Sequence, residues 1–230
     1  MKNTSIQTST FAFLNDLKKN NNREWFAENK PRYEQAHQNM IQFADSLLEK
    51  LIVHDNISTA SGKASLFRIY ADTRFSKDKT PYKTHWGLRF ARATDFLRGG
   101  MYVHIEPGGG SFVGGGFFNP NADDLYRIRQ DIELNHEDWN TLFADQRIKN
   151  TFGNLRGEQL KTAPKGFPKD HPGIEFLRHK QFLLSKTFTD NEVLAADFAS
   201  KLDETIQQFR PFFDYFSEVL TTNTNGEPLF

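Results

Sequence analysis

WGLRFARATDFLRGGMYVHIEPGGGSFVGGGF, residues 86–117, is the stretch whose reading decides the fold. Trp86, Leu88 and Phe90 alternate with Gly87, Arg89 and Ala91, and Met101, Val103 and Ile105 alternate with Tyr102, His104 and Glu106. A period of two marks strands with one buried face. Pro107–Gly110 supplies a turn, and Ser111–Phe117 is the antiparallel return. Parallel pairing would need a crossover of about a dozen residues or more, and these connections are shorter. Ser65–Ala71 adds an upstream strand, with Phe67 and Ile69 on one face and Arg68 and Tyr70 on the other. Phe182–Phe188 is β-like and can join the sheet.

Helical patterns flank these strands. Thr10 is placed to cap a short helix carrying Phe11, Leu14 and Leu17, and Asn22 to cap the next, with Trp25 and Phe26. Pro31 suits the first turn of a third helix, whose Met40, Phe43, Leu47 and Leu51 fall on one stripe. Further helices are predicted over Asp123–Leu134, around Trp139–Phe143, near Gln146–Phe152 and over Ile174–His179. A final long helix sets Leu194, Phe198, Leu202, Ile206, Phe209 and Phe213 on one stripe, kinked or ended by Pro211. Helices, then strands, then helices, without a βαβ rhythm, predict an α+β fold. The expected architecture is one domain over residues 1–230, with a core from about residue 9 to 221 and flexible ends. Its antiparallel sheet has about four to six strands between N-terminal and C-terminal helices.

Composition narrows the function classes. Phe occupies 23 of 230 positions, enough aromatic area for a proper core. The chain has no cysteine, which excludes disulfides, thiolate metal sites and a cysteine nucleophile. The N-terminus lacks a signal-peptide h-region and no apolar run is long enough to span a bilayer, so the expected location is cytoplasmic, with no membrane partner. Formal charge is zero, with 29 basic and 29 acidic residues. That balance argues against a dedicated non-specific nucleic-acid binder.

The cations are nevertheless concentrated. Between Arg68 and Arg92 seven cations face only Asp72 and Asp78, and between Lys161 and Lys180 five face only Asp170 and Glu175. Such asymmetry points to anion binding. The first segment, FRIYADTRFSKDKTPYKTH (67–85), holds a long loop in a compact chain, where function often resides. Arg68, Arg74, Lys77, Lys79 and Lys83 offer the forks and point charges that suit phosphate or carboxylate. The second, LKTAPKGFPKDHPGIEFLRHK (160–180), is punctuated by Pro and Gly and adds Lys165, His171 and Arg178. Either segment also reads as solvated surface, the second as a rigid crossover.

Other chemistry is less supported. PGGGSFVGGG (107–116) lacks the lysine, the hydroxyl and the strand-to-helix context of a nucleotide loop, so a hairpin turn and a close backbone approach at Gly114–Gly116 explain it better. Ser76, His85 and Asp72 are near in sequence, without a nucleophile elbow around Ser76. His104 and Glu106 share a strand face, and His85 on another strand can join them to suit zinc or another divalent ion, although strand histidines are usually not ligands. No cofactor is predicted.

Four stretches occur in order: NREWFAENKPRYE (22–34), FRIYADTRFSKDKTPYKTHWG (67–87), the glycine-rich stretch ending at Phe117–Pro120, and the 160–180 segment. Together they resemble the Domain of Unknown Function 2461 family of bacteria and fungi, from about Phe11 to Leu220. The resemblance implies a single cytoplasmic-type domain without cofactor, and no particular activity. It marks Arg68, Asp72, Arg74, Phe75, Lys77, Asp78, Lys79, Pro81, Tyr82, Lys83 and His85, then Lys165, Gly166, Asp170, His171, Pro172 and Lys180. Ala71 departs from the charged or polar residue expected in many relatives.

The functional expectation is a basic pocket for a phosphate- or carboxylate-bearing small molecule, lined by Arg68, Arg74, Lys77, Lys79, Lys83, Lys165, His171 and Arg178. An enzymatic version would use His85 or His171 as acid–base, oriented by Asp72 or Asp170. One alternative is nucleic-acid binding or processing, with Tyr70 and Tyr82 as exposed aromatics. Another is a non-enzymatic partner-binding module. Oligomeric state is not legible.

Overall fold

Asn29-Lys30-Pro31 shows how the sequence punctuates the N-terminal helices. The computed structural model describes residues 4–74, 77–223 and 225–229. Phe75 and Ser76 of the sequence reading lie outside them. In chain order the elements are α1 (Thr8–Lys19), α2 (Arg23–Glu28), α3 (Lys30–His54), α4 (Gly62–Ser65), β1 (Trp86–Ala91), β2 (Gly100–Ile105) and β3 (Phe112–Phe117). Then come α5 (Ala122–Leu134), α6 (His136–Ala144), α7 (Gln146–Phe152), α8 (Ile174–Leu177), β4 (Phe182–Thr187), α9 (Asp190–Leu194), α10 (Phe198–Gln207) and α11 (Arg210–Thr221). The fold is α+β, and among the described residues four strands form one antiparallel sheet in the order β1-β2-β3-β4.

The chain divides into two compact units. One is Met1–Ala91, Tyr102–Val113 and Thr187–Glu204; the other is Arg92–Met101, Gly114–Lys186 and Thr205–Phe230.

In the first unit, Asn22 caps α2 by accepting the Trp25 N–H at 2.9 Å, and Pro31 sits in the first turn of α3, where its missing N–H costs nothing. Met40, Phe43, Leu47 and Leu51 are fully buried. Truncating one of them to alanine should cost about 2–5 kcal/mol, because the cavity collapses only in part. Phe43 stacks on Phe198 of α10 at 5.7 Å. Thr10 does not cap α1. The helix begins earlier, after Gln7, and the buried Thr10 hydroxyl donates to Asn39 Oδ1 at 2.8 Å instead.

The Ser65–Ala71 strand is also corrected. Ser61 accepts the Ala64 N–H and starts the short α4, so Ser65 is helical. Beyond it the chain makes only isolated antiparallel bridges, Leu66 to Leu88 and Tyr70 to Tyr82. Ile69 is buried as expected, whereas Phe67 is exposed.

In the second unit, Trp139 lies against Phe182 and Phe216, and its indole N–H donates to Asp131 at 2.7 Å. Tyr215, half-buried, donates to the same carboxylate at 2.8 Å, so one carboxylate satisfies two aromatic donors. At Gly116, with φ of 133°, a Cβ would stand 2.1 Å from the Phe182 carbonyl; a glycine is required for that approach. The predicted long C-terminal helix is three. Thr189 and Glu192 form a capping box that starts α9, and Pro211 opens α11 rather than kinking a continuous helix.

Candidate functional site

β2 carries its apolar residues, Met101, Val103 and Ile105, into the core, so Tyr102 and His104 emerge on the other face. His85 immediately precedes β1 and Glu106 immediately follows β2. Pairing of these strands brings the three side chains of the metal reading together. One ligand-type atom from each of His85, His104 and Glu106 lies within 4.8 Å of the others, and all three residues are half-buried. The His85 and His104 rings stack with centroids 4.1 Å apart.

The hydrogen bonds fix two of the three. His104 Nε2 lies 3.1 Å from Glu106 Oε2, and His104 Nδ1 lies 3.1 Å from the Tyr102 hydroxyl. An ionised carboxylate only accepts, which places the ring proton on Nε2 and leaves Nδ1 to accept from the phenol. Glu106 Oε1 accepts from Thr84 Oγ1 at 3.5 Å and lies 3.6 Å from Lys18 Nζ. Neither nitrogen of His85 has a hydrogen-bond partner among the described residues. Burial, the neighbouring His104 and Lys83 push His85 down to about 4 against the opposing pull of Glu106, so it is neutral at pH 7. For Glu106, burial acts upward but is outweighed by the His104 hydrogen bond and by the neighbouring His104, Lys18 and His85 side chains, leaving its carboxyl below the ordinary value.

Gly87 makes room for this arrangement. A Cβ there would stand 2.8 Å from the Tyr102 hydroxyl and 3.2 Å from the Phe67 ring. Lys83 Nζ lies 5.6 Å from the Phe67 centroid and donates to the Arg68 carbonyl at 3.0 Å. Burial and then the Arg68 charge lower the Lys83 ammonium below its ordinary value. No carboxylate stands within ion-pair distance of Arg68 or Lys83 among the described residues.

The remaining candidates in this unit are differently engaged. Arg74 makes a two-pronged bond to Asp72, at 3.0 and 2.8 Å, which holds the Asp72 carboxyl at about 2. Lys79 donates to the Thr73 carbonyl at 2.7 Å, and Lys77 is exposed. Tyr82 is not the exposed aromatic the nucleic-acid alternative used. It is buried and stacked on Phe26 at 4.0 Å, while Tyr70 is exposed.

Lys165, Asp170, His171 and Arg178 belong to the second unit. His171 Nε2 donates to the Glu133 carbonyl at 3.0 Å and Nδ1 accepts the Gly173 N–H at 3.0 Å, so both nitrogens hold backbone. Arg178 donates to the Leu160 carbonyl at 2.8 Å and pairs with Glu175 at 3.5 Å. Lys165 and Asp170 are exposed. An open depression in this unit, lined by Thr94, Asp95, Leu97, Arg98 and Gly99, includes none of the candidates.

Sequence reasoning missed Tyr102, Thr84 and Lys18 as members of the cluster. Tyr102 had a signal, since residues two apart on a strand share a face. Lys18 sits on α1, and nothing local links it to Glu106.

The chain belongs to the family described as "Conserved hypothetical protein (DUF2461)", whose model matches residues 9–215. Comparison with curated proteins and with solved structures gave no match.

Proposed function

We propose that the first unit binds a phosphate- or carboxylate-bearing small molecule beside Arg68 and Lys83, at the edge of the His85–His104–Glu106 cluster. One observation carries the reading: Lys83, partly desolvated, is held on the Arg68 carbonyl and feels the Arg68 charge, with no carboxylate within ion-pair distance of either side chain among the described residues. An arriving anion would relieve that repulsion and give Lys83 a paired counter-charge. Arg74, by contrast, already spends its fork on Asp72. His85, neutral and half-buried, is the acid–base candidate of this unit, and Lys83 is among the charges that act on it. A cytoplasmic setting, where thiols stay reduced, accords with the cysteine-free chain.

A thermal-shift series with inorganic phosphate, pyrophosphate, citrate and mononucleotides tests this. A ligand specific for the folded chain raises Tm, by the equivalent of about 2.7 kcal/mol at a hundredfold excess over Kd. The shift should vanish in Lys83→Ala and Arg68→Ala and persist in Lys180→Ala, whose ammonium is bonded to Glu158. No shift with any of these anions would overturn the reading. Binding only to oligonucleotides, weakening steeply with salt, would favour the nucleic-acid alternative.

Among the described residues no helix is long and apolar enough to cross a membrane.

A further inference from the structure

We propose that His85, His104 and Glu106 form a binding site for a divalent first-row transition-metal ion, with Tyr102 as the positioning residue for His104. The proposal does not rest on the anion reading, since none of its ligands is a cation. Two imidazoles and a carboxylate suit zinc or ferrous iron and disfavour magnesium and calcium, which prefer all-oxygen shells.

The geometry is close to a loaded site. Bonds of about 2.0–2.2 Å in a tetrahedron place neighbouring ligand atoms about 3.4 Å apart. The His104 Nε2 to Glu106 Oε2 separation is 3.1 Å, and the full set lies within 4.8 Å, so rotation of the His85 ring and a small contraction bring three ligands onto one ion. Three protein ligands leave at least one coordination position open, the pattern of a site that handles a substrate or water rather than a purely structural one.

Outer contacts are in place as well. Metal-bound imidazoles hand their second N–H to an acceptor that fixes the ring. Here Tyr102 occupies that position at Nδ1, and Gly87 leaves the room for its hydroxyl. On loading, the ion takes the lone pair of Nε2, the ring proton moves from Nε2 to Nδ1, and the phenol oxygen becomes its acceptor. The neutral ring keeps one proton throughout. Glu106 turns Oε2 to the ion and keeps Oε1 toward Thr84 and Lys18.

The test uses the full chain, freed of metal by dialysis against chelator and titrated calorimetrically with zinc chloride. The expected result is one equivalent, weakened at least about tenfold in Tyr102→Phe and more in His104→Ala and Glu106→Gln, the last being nearly isosteric. His136→Ala serves as a control, because His136 and His171 form a second histidine pair at 5.4 Å. Its binding should be unchanged, and magnesium should not bind. In the unaltered chain, ¹⁵N spectra should show the His104 tautomer change from Nε2–H to Nδ1–H on adding zinc. Failure to bind zinc, undiminished binding in both His104→Ala and Glu106→Gln, or loss of binding in His136→Ala would each overturn the proposal. The anion reading would survive any of these, because its readout is the phosphate-induced shift of the metal-free chain.

Discussion

Tyr102 and His104 stand two residues apart on β2, and the phenol oxygen of the first lies 3.1 Å from Nδ1 of the second. The contact depends on a residue on the neighbouring strand that has no side chain. Gly87→Ala should place a methyl 2.8 Å from that hydroxyl, displace Tyr102 and cost about 1–3 kcal/mol, as overpacking does. Tyr102→Phe should cost only about 1 kcal/mol, the worth of one hydrogen bond. Urea unfolding of both variants checks the order. A smaller loss in Gly87→Ala than in Tyr102→Phe would contradict it.

Asn39 is a buried amide with each of its groups in use. Its oxygen accepts from the Gln7 N–H at 2.9 Å and the Thr10 hydroxyl at 2.8 Å, and its nitrogen donates to the Ser5 carbonyl at 3.0 Å. Asn39→Leu should leave several of these partners unsatisfied and cost about 2–3 kcal/mol. Thr10→Val, which removes one bond, should cost less. Thermal unfolding of the two variants reads the difference.

Acid should loosen the start of α9. Lys201, bonding to Glu192 at 2.5 Å, and then Thr189 hold the Glu192 carboxyl at about 2. A depressed carboxyl contributes stability that is present above its unfolded value of about 4.3 and is lost as pH falls through the folded value. Stability should therefore decline between about pH 5 and pH 2, with part of that slope removed in Glu192→Gln. Glutamine can still serve the capping box, so the variant isolates the charge. Denaturant melts at pH 7, 4 and 2.5 measure it, and an unchanged acid slope would refute the assignment.

Asp190 accepts the N–H groups of Gly108 and Gly109 at 2.8 and 2.9 Å. Asp190→Ala should speed amide exchange at those two glycines while leaving the β2 amides protected. Equal protection in the variant would mean that the turn holds itself.

The sheet was legible because Trp86, Leu88 and Phe90, and then Met101, Val103 and Ile105, repeat with a period of two that only a half-buried strand needs. The α3 stripe was legible for the corresponding helical reason. Errors fell where a side chain answered to something distant. Thr10 looks like a cap, yet its hydroxyl belongs to Asn39, and no local pattern encodes a partner on another helix. Tyr82 looks exposed in a loop of charges, but Phe26 covers it. His85, His104 and Glu106 carried a weak strand-face signal that became a cluster only once the pairing of β1 and β2 was fixed. Charge counting located the basic loop but could not tell Arg74, already paired, from Lys83 and Arg68.

The glycine turn after β2 has a final implication. Gly108 and Gly109, with φ of 85° and 77°, present consecutive N–H groups as a cradle for a single carboxylate. The chain fills that cradle with its own Asp190. The turn therefore has a built-in occupant, and its length is tied to a residue far along the chain. Inserting or deleting one residue at 107–110 would shift the register of both amides and leave Asp190 without its seat. A stretch that reads as flexible, permissive glycine should thus be among the least tolerant of length change.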